Sequence, residues 1–94
     1  MSSIVHILQW LILGSKGGET RKQILLTLKK KPMNANALSK KLFFDYKTIQ
    51  HHLAILEKNE LLTKIGERYG QVYFISVELE DNFELFKKMI GGND

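Results

Sequence analysis

The sequence contains no cysteine. That excludes a disulfide framework, a thiolate zinc site and a thiol nucleophile, and a domain held by packing alone suits a reducing interior, so the cytoplasm is the expected compartment. There is a single proline, Pro32, and no apolar run long enough to cross a bilayer: the stretch Ile4 to Leu13 is interrupted by His6 and Gln9 and stops at Gly14. A spanning helix needs about 20 mostly apolar residues. The same stretch lacks the basic leader and small-residue cleavage site of a secretion signal. The segment Gly14 to Gly18 has neither Walker spacing nor a preceding strand, so no nucleotide site is expected there. No repeat, low-complexity run or linker is present. Ninety-four residues leave room for one core, predicting a single domain over 1–94 and excluding enzymes built on a nucleotide-binding sheet.

What is present is the composition of a folded chain, 44% apolar and 26% charged. Fourteen Lys and Arg against ten Asp and Glu leave a formal charge of +4, which favours polyanionic partners or acidic membrane surfaces. The charge is unevenly spread. Residues 16–50 hold nine cations (Lys16, Arg21, Lys22, Lys29, Lys30, Lys31, Lys40, Lys41, Lys47) and two anions, whereas residues 51–94 hold five cations and eight anions. A basic face is therefore expected from the first half, although most charged residues on small proteins are only a solvated surface, so a fold must supply the rest.

The segment 3–13 reads as a helix capped by Ser2 or Ser3, apolar on nearly every side and so requiring cover, with a buried strand as the alternative. Gly14 to Gly18 reads as a flexible break. A second helix is predicted from Thr20 to Lys30, with Ile24, Leu25 and Leu28 as its stripe and Pro32 closing it. Asn34 is a good N-cap for a helix over 35–42, with Leu38 and Leu42 inward and Ser39 allowing close approach; Asp45 is one for a helix over 46–58, whose Ile49, His52, Leu53 and Leu56 follow i, i+3, i+4, i+7. Residues 61–65 and 71–77 are β-branched and aromatic, and the five between them carry a glycine at each end, which predicts a hairpin. Residues 80–90 complete the chain as an amphipathic helix with Phe83, Phe86 and Ile90 along one face, and the tail Gly91 to Asp94 is expected to fray.

Two helices joined by a short turn over 35–58 make a helix-turn-helix, here within a helical core of 20–58, and a hairpin over 61–77 follows. The expected fold class is α+β, a winged helix-turn-helix with three core helices, a β-hairpin wing and extra terminal helices. The residues Gly17-Gly18-Glu19-Thr20-Arg21, Pro32-Met33-Asn34-Ala35-Asn36, Asp45-Tyr46-Lys47-Thr48-Ile49-Gln50-His51-His52-Leu53 and Gly70-Gln71-Val72-Tyr73-Phe74 closely resemble archaeal winged helix-turn-helix regulators of the ArsR-like type over roughly residues 14–77. The resemblance implies a sequence-specific transcription regulator, usually a homodimer, with the helix from Tyr46 in the major groove. Phe43 and Glu60 stand where relatives often have glycine, so both turns are expected to be distorted. Metal-sensing members of the wider group use cysteines or carboxylate and histidine ligands; with no cysteine and no histidine in the last helix, metal sensing is not expected.

With the apolar side of the 46–58 helix inward, Lys47, Thr48, Gln50 and His51 are left near its N-terminal end as base readers: Gln pairs with adenine, Lys donates to guanine, and Thr offers a hydroxyl and a methyl. An ordinary polar helix face is the plain alternative. Phosphate contacts are expected from Asn34, Asn36, Lys40, Lys41 and Tyr46, and from Lys64, Arg68 and Tyr69 on the wing. His51 and His52 are adjacent and point about 100° apart, whereas a shared metal ion needs i, i+3 or i, i+4 spacing; no metal or cofactor is expected. His52 is expected as a core histidine bonded to a backbone carbonyl. Ile4, Ile7, Leu8, Leu11, Phe83, Phe86, Met89 and Ile90 exceed what a three-helix core needs and predict a homodimer interface on the terminal helices, the alternative being that they complete the monomer core. The expected partners are double-stranded DNA and a second copy, with no membrane and no identified effector. A protein-binding winged helix and a non-specific chromatin binder are the rival functions.

Overall fold

The computed structural model of the chain describes residues 3–68 and 70–91. The capping by Ser2 or Ser3, the phosphate contact by Tyr69 and the fraying beyond Gly91 lie outside the described residues.

The apolar N-terminal segment is helical, in two parts. Helix α1 (Ser3–Leu8) runs into a π-helical turn (Gln9–Leu13) that ends where Gly14 N–H donates to the Gln9 carbonyl five residues back, at 2.9 Å. Helix α2 (Gly18–Lys30) buries Ile24, Leu25 and Leu28 as expected. The intervening glycines do more than break the chain. Gly17 sits at φ +87°, and a Cβ there would meet the His52 ring at 2.7 Å; a Cβ on Gly18 would lie 2.0 Å from the Ile12 carbonyl oxygen. A side chain is excluded at Gly18 because α2 begins against the backbone of the preceding turn, and at Gly17 because the His52 ring stands against it and its φ is left-handed.

The helix-turn-helix has the predicted bounds, α3 (Ala35–Leu42) and α4 (Tyr46–Lys58). Asn34 Oδ1 accepts from Ala37 N–H at 2.8 Å, and Asp45 Oδ2 accepts from Lys47 and Thr48 N–H at 3.0 and 3.3 Å. Leu38 is buried and Leu42 half-buried. Both turns keep a glycine-type backbone without glycine. Phe43 takes φ +61° with its ring 92% exposed, and Glu60, after α4, takes φ +62°. Both stand in the left-handed region where glycine is at ease. Ser39 closes the first turn twice: its carbonyl accepts from Phe44 N–H at 3.1 Å and its hydroxyl donates to the Phe44 carbonyl.

The wing is the antiparallel pair β2 (Leu62–Ile65) and β3 (Val72–Ile75), in register Leu62↔Ile75 to Ile65↔Val72. A third strand, β1 (Met33–Asn34), pairs with the other edge of β3 through Met33↔Tyr73 and Asn34↔Val72, giving the order β1-β3-β2. Two residues next to a proline carry no alternation, so no sequence pattern announces that strand. The C-terminal helix is shifted and divided: Ser76 ends the wing and caps α5 (Val77–Asp81), and α6 (Phe83–Met89) follows after Asn82. A single core joins Ile4, Leu8 and Leu11 to Ile24, Leu28, Leu53, Leu56, Leu79 and Phe86. No helix among the described residues is long and apolar enough to cross a membrane.

Candidate nucleic-acid interface

Helix α4 is held by its apolar side. Ile49, His52, Leu53 and Leu56 are buried, and the opposite flank leaves Lys47, Gln50 and His51 exposed with Thr48 half-exposed. Gln50 Nε2 donates to the Tyr46 hydroxyl one turn earlier, at 3.2 Å, which extends the side chain along the outer face. That bond is exposed and single, so the amide is free to exchange it for a base edge.

The pairing of β1 with β3 draws the first turn of α3, the start of α4 and the loop end of the wing around one cleft of about 140 Å³. Asn34, Asn36, Tyr46, Gln50 and Arg68 line it together, although Arg68 lies more than 30 residues from the asparagines in sequence. Gln71 and Tyr73 also line it. Sequence reasoning assigned them only to a strand, because the face a short strand presents depends on its partner. Burial pushes the Tyr73 phenol above its ordinary pKa, with Lys64 pulling the other way, so its hydroxyl stays a donor. Asn34 spends its amide oxygen on the helix cap and keeps its NH₂ for an acceptor outside. The Asn34 NH₂, the Tyr73 hydroxyl and the Arg68 guanidinium give the cleft donors, and Arg68 is the one formally charged residue among those that line it.

Not every expected phosphate contact joins it. Lys64 turns to the other flank, where its Nζ pairs with Glu57 of α4 at 3.3 Å beside Glu60 and Glu78. Lys64 therefore does not join Arg68 in the cleft, and the carboxylates beside it offset part of its charge. Lys40 and Lys41 are exposed on α3 outside the cleft; Lys41 faces Lys30 and Lys31 across a separate shallow depression.

Arg21 leaves the basic face altogether. It is 3% exposed, and its guanidinium ties three segments together. Nε donates to the Leu11 carbonyl at 3.0 Å, Nη2 to the Ser15 hydroxyl at 2.6 Å and the Lys16 carbonyl at 3.0 Å, and Nη1 lies 3.1 Å from His52 Nδ1. His52 is thus a core histidine, but its partner is this arginine rather than a backbone carbonyl. A guanidinium only donates, so Nδ1 must carry the lone pair and the ring is neutral. Burial, then Arg21, then His51 hold its pKa below the ordinary histidine value.

The terminal helices also need correcting. Ile4, Leu8, Leu11, Phe83 and Phe86 are buried inside the chain's own core, so these five cannot supply an intermolecular surface. Ile7, Met89 and Ile90 remain half-buried at its edge. Among the described residues, the large apolar side chains left outward on the terminal segments are Trp10, Leu13, Val77 and Leu85. Lys29 fastens the C-terminal segment from within the chain, pairing with Glu80 while lying 5.3 Å from the centre of the Phe83 ring. Among the described residues no group of three or more His, Asp or Glu is placed to hold a metal ion.

Solved structures share this architecture. HlyU from Vibrio cholerae superposes with a TM-score of 0.71 at 24% identity, covering 93% of this chain and 92% of that one. The homodimeric winged helix-turn-helix DNA-binding domain of a possible ArsR-family transcriptional regulator from Mycobacterium bovis gives 0.69 at 21%, covering 93% and 79%. An ArsR-like transcriptional regulator from Rhodococcus gives 0.66 at 20%, covering 97% and 84%. At such identities the likeness establishes the fold, a winged helix-turn-helix. No curated protein matches by sequence. The family model described as bacterial regulatory protein, arsR family, matches residues 18–64, half of the chain and the whole of the helix-turn-helix with most of the first wing strand, so the chain belongs to the ArsR family of regulatory proteins.

Proposed function

We infer that the protein is a sequence-specific regulator of transcription that binds double-stranded DNA as a homodimer. The observation that carries this is the cleft: the outer edge of α4 is open, and the donors of the α3 N-terminus and the wing converge beside it. Helix α4 enters the major groove, with Lys47, Thr48, Gln50 and His51 toward base edges. Asn34, Asn36, Tyr46 and Arg68 take phosphate oxygens on either side and fix the register, with Lys40 and Lys41 at the periphery. Leu13, Leu85 and the rims of Ile7, Met89 and Ile90 are the apolar surface available to a second copy, and the homodimeric relative supports that assembly. Two-fold symmetry then presents the reading helices about 34 Å apart, to half-sites about 10 bp apart on a pseudo-palindrome. Such a protein acts where the chromosome is, in the cytoplasm of a prokaryotic cell.

The test is selection of bound sites from random duplex at a stated salt concentration, followed by single variants. Gln50→Ala should cost about 1–3 kcal/mol on the selected site and much less on random duplex. Equal losses on both would identify a non-specific binder, and negligible affinity for any duplex at low salt would favour a protein-binding module.

A further inference from the structure

We propose that the groove between the N-terminal segment and α4 is a binding site for a small aromatic carboxylate. The groove measures about 520 Å³, within the roughly 300–1,000 Å³ typical of small-molecule sites. Its charged lining side chains are Lys16, Arg21 and Lys58, with His51 beside them; no Asp or Glu lines it. Trp10, 62% exposed, and Ile55 give it apolar walls. Cationic ends and an indole wall are complementary to a flat ring bearing a carboxylate.

The argument rests most on Arg21. None of the ion pairs among the described residues includes it, and its four hydrogen-bond partners are two carbonyls, a hydroxyl and a neutral imidazole. A guanidinium has five N–H donors, so one on Nη1 is left over. A buried cation with neutral partners leaves a positive potential that an anion in the adjoining groove relieves. Lys16 of the loop and Lys58 of α4, both exposed, line the same groove and add to that field.

One wall belongs to the π-helical segment and the loop after it, the other to α4, so an occupant bridges the N-terminal segment to the helix carrying His51. That this would regulate DNA binding rests on the reading above; the site itself does not. It is tested without DNA, because Trp10 is the sole tryptophan and reports from the groove wall. Benzoate titrated into the full-length protein should change the Trp10 emission saturably, whereas benzamide, its uncharged counterpart, and acetate, its charge without the ring, should bind at least tenfold more weakly. Lys16→Ala and Lys58→Ala, both at exposed positions, should each weaken benzoate by about two- to fivefold, the scale of an exposed charge contact. The proposal is overturned if benzoate gives no saturable change up to 10 mM, if benzamide or acetate matches it, or if both lysine variants bind it unchanged.

Discussion

Lowering the pH should unfold this protein earlier than its carboxylates alone would dictate, because His52 must stay neutral to accept from Arg21. In the folded state its pKa lies below the ordinary value of 6.5, so between that depressed value and 6.5 the unfolded chain binds the proton and the folded chain does not. Stability therefore rises with pH across that interval. It is complete above about pH 6.5 and is lost as the pH falls toward the folded-state value, at a slope of up to about 1.4 kcal/mol per pH unit for one proton. Protonation would set two cations 3.1 Å apart in the interior and turn the acceptor into a donor facing a donor. Glu19, whose carboxyl Lys22 and Gln23 hold below the ordinary value of 4.5, contributes stability that is lost in the same direction, at lower pH.

The assay is urea denaturation at closely spaced pH values from 8 to 5, compared with His52→Asn. Asparagine keeps an acceptor oxygen at the δ position for the Arg21 guanidinium and has nothing to titrate. The variant should be less stable than wild type at pH 8, because an amide fills less of the space beside Gly17, and its stability should be nearly flat between pH 6.5 and 5. The two curves should converge as the pH falls. If His52→Asn retains the wild-type slope, or if wild-type stability is independent of pH above 5, the neutral imidazole bonded to Arg21 is refuted.

Three further outcomes follow from the geometry. Gly18→Ala should cost about 1–3 kcal/mol, the range for overpacking, because the new methyl falls on the fixed Ile12 carbonyl, and circular dichroism should show loss of N-terminal helix; a neutral result would mean that segment is not seated on α2. Phe43→Gly should raise stability by about 1 kcal/mol, relief of the left-handed conformation exceeding the added chain entropy of glycine, as measured by thermal melting; a loss would show that the exposed ring makes a stabilising contact. Arg68→Ala should weaken binding to all duplexes alike and reduce the slope of log affinity against log salt by about 1, whereas Lys64→Ala should change that slope little because Glu57 already holds the lysine; a larger effect at Lys64 would invert the assignment of the wing.

The helix-turn-helix was the most legible part of the chain, since each of its features is local: Asn34 and Asp45 cap the helices they precede, and the spacing of Ile49, Leu53 and Leu56 names the buried side of α4 without reference to any other element. What escaped the sequence depends on partners far away in the chain. β1 is a strand only because β3 offers it an edge, and that one pairing turns Gln71 and Tyr73 from strand residues into walls of the cleft. Arg21 shows the same limit more sharply. On its own helix it looks like one more surface cation beside Lys22, yet Gly17 and Gly18 bring the backbone ahead of α2 close enough for Leu11 and Lys16 to turn carbonyls toward it, and α4 contributes His52 from 31 residues away. The two adjacent glycines, read as a flexible break, were its only local sign: where a backbone must pass this closely, a long side chain nearby gains buried acceptors in place of solvent. Removing that cation from the surface leaves the positive field of the first half to the lysines of α2, α3 and α4, while the one charge lining the cleft beside Gln50 comes from Arg68 on the wing, in the acidic half of the sequence. Net charge by segment says nothing of that cation, which the sequence offers only through the hairpin that carries it, because charge is counted along the sequence and the cleft is assembled across it.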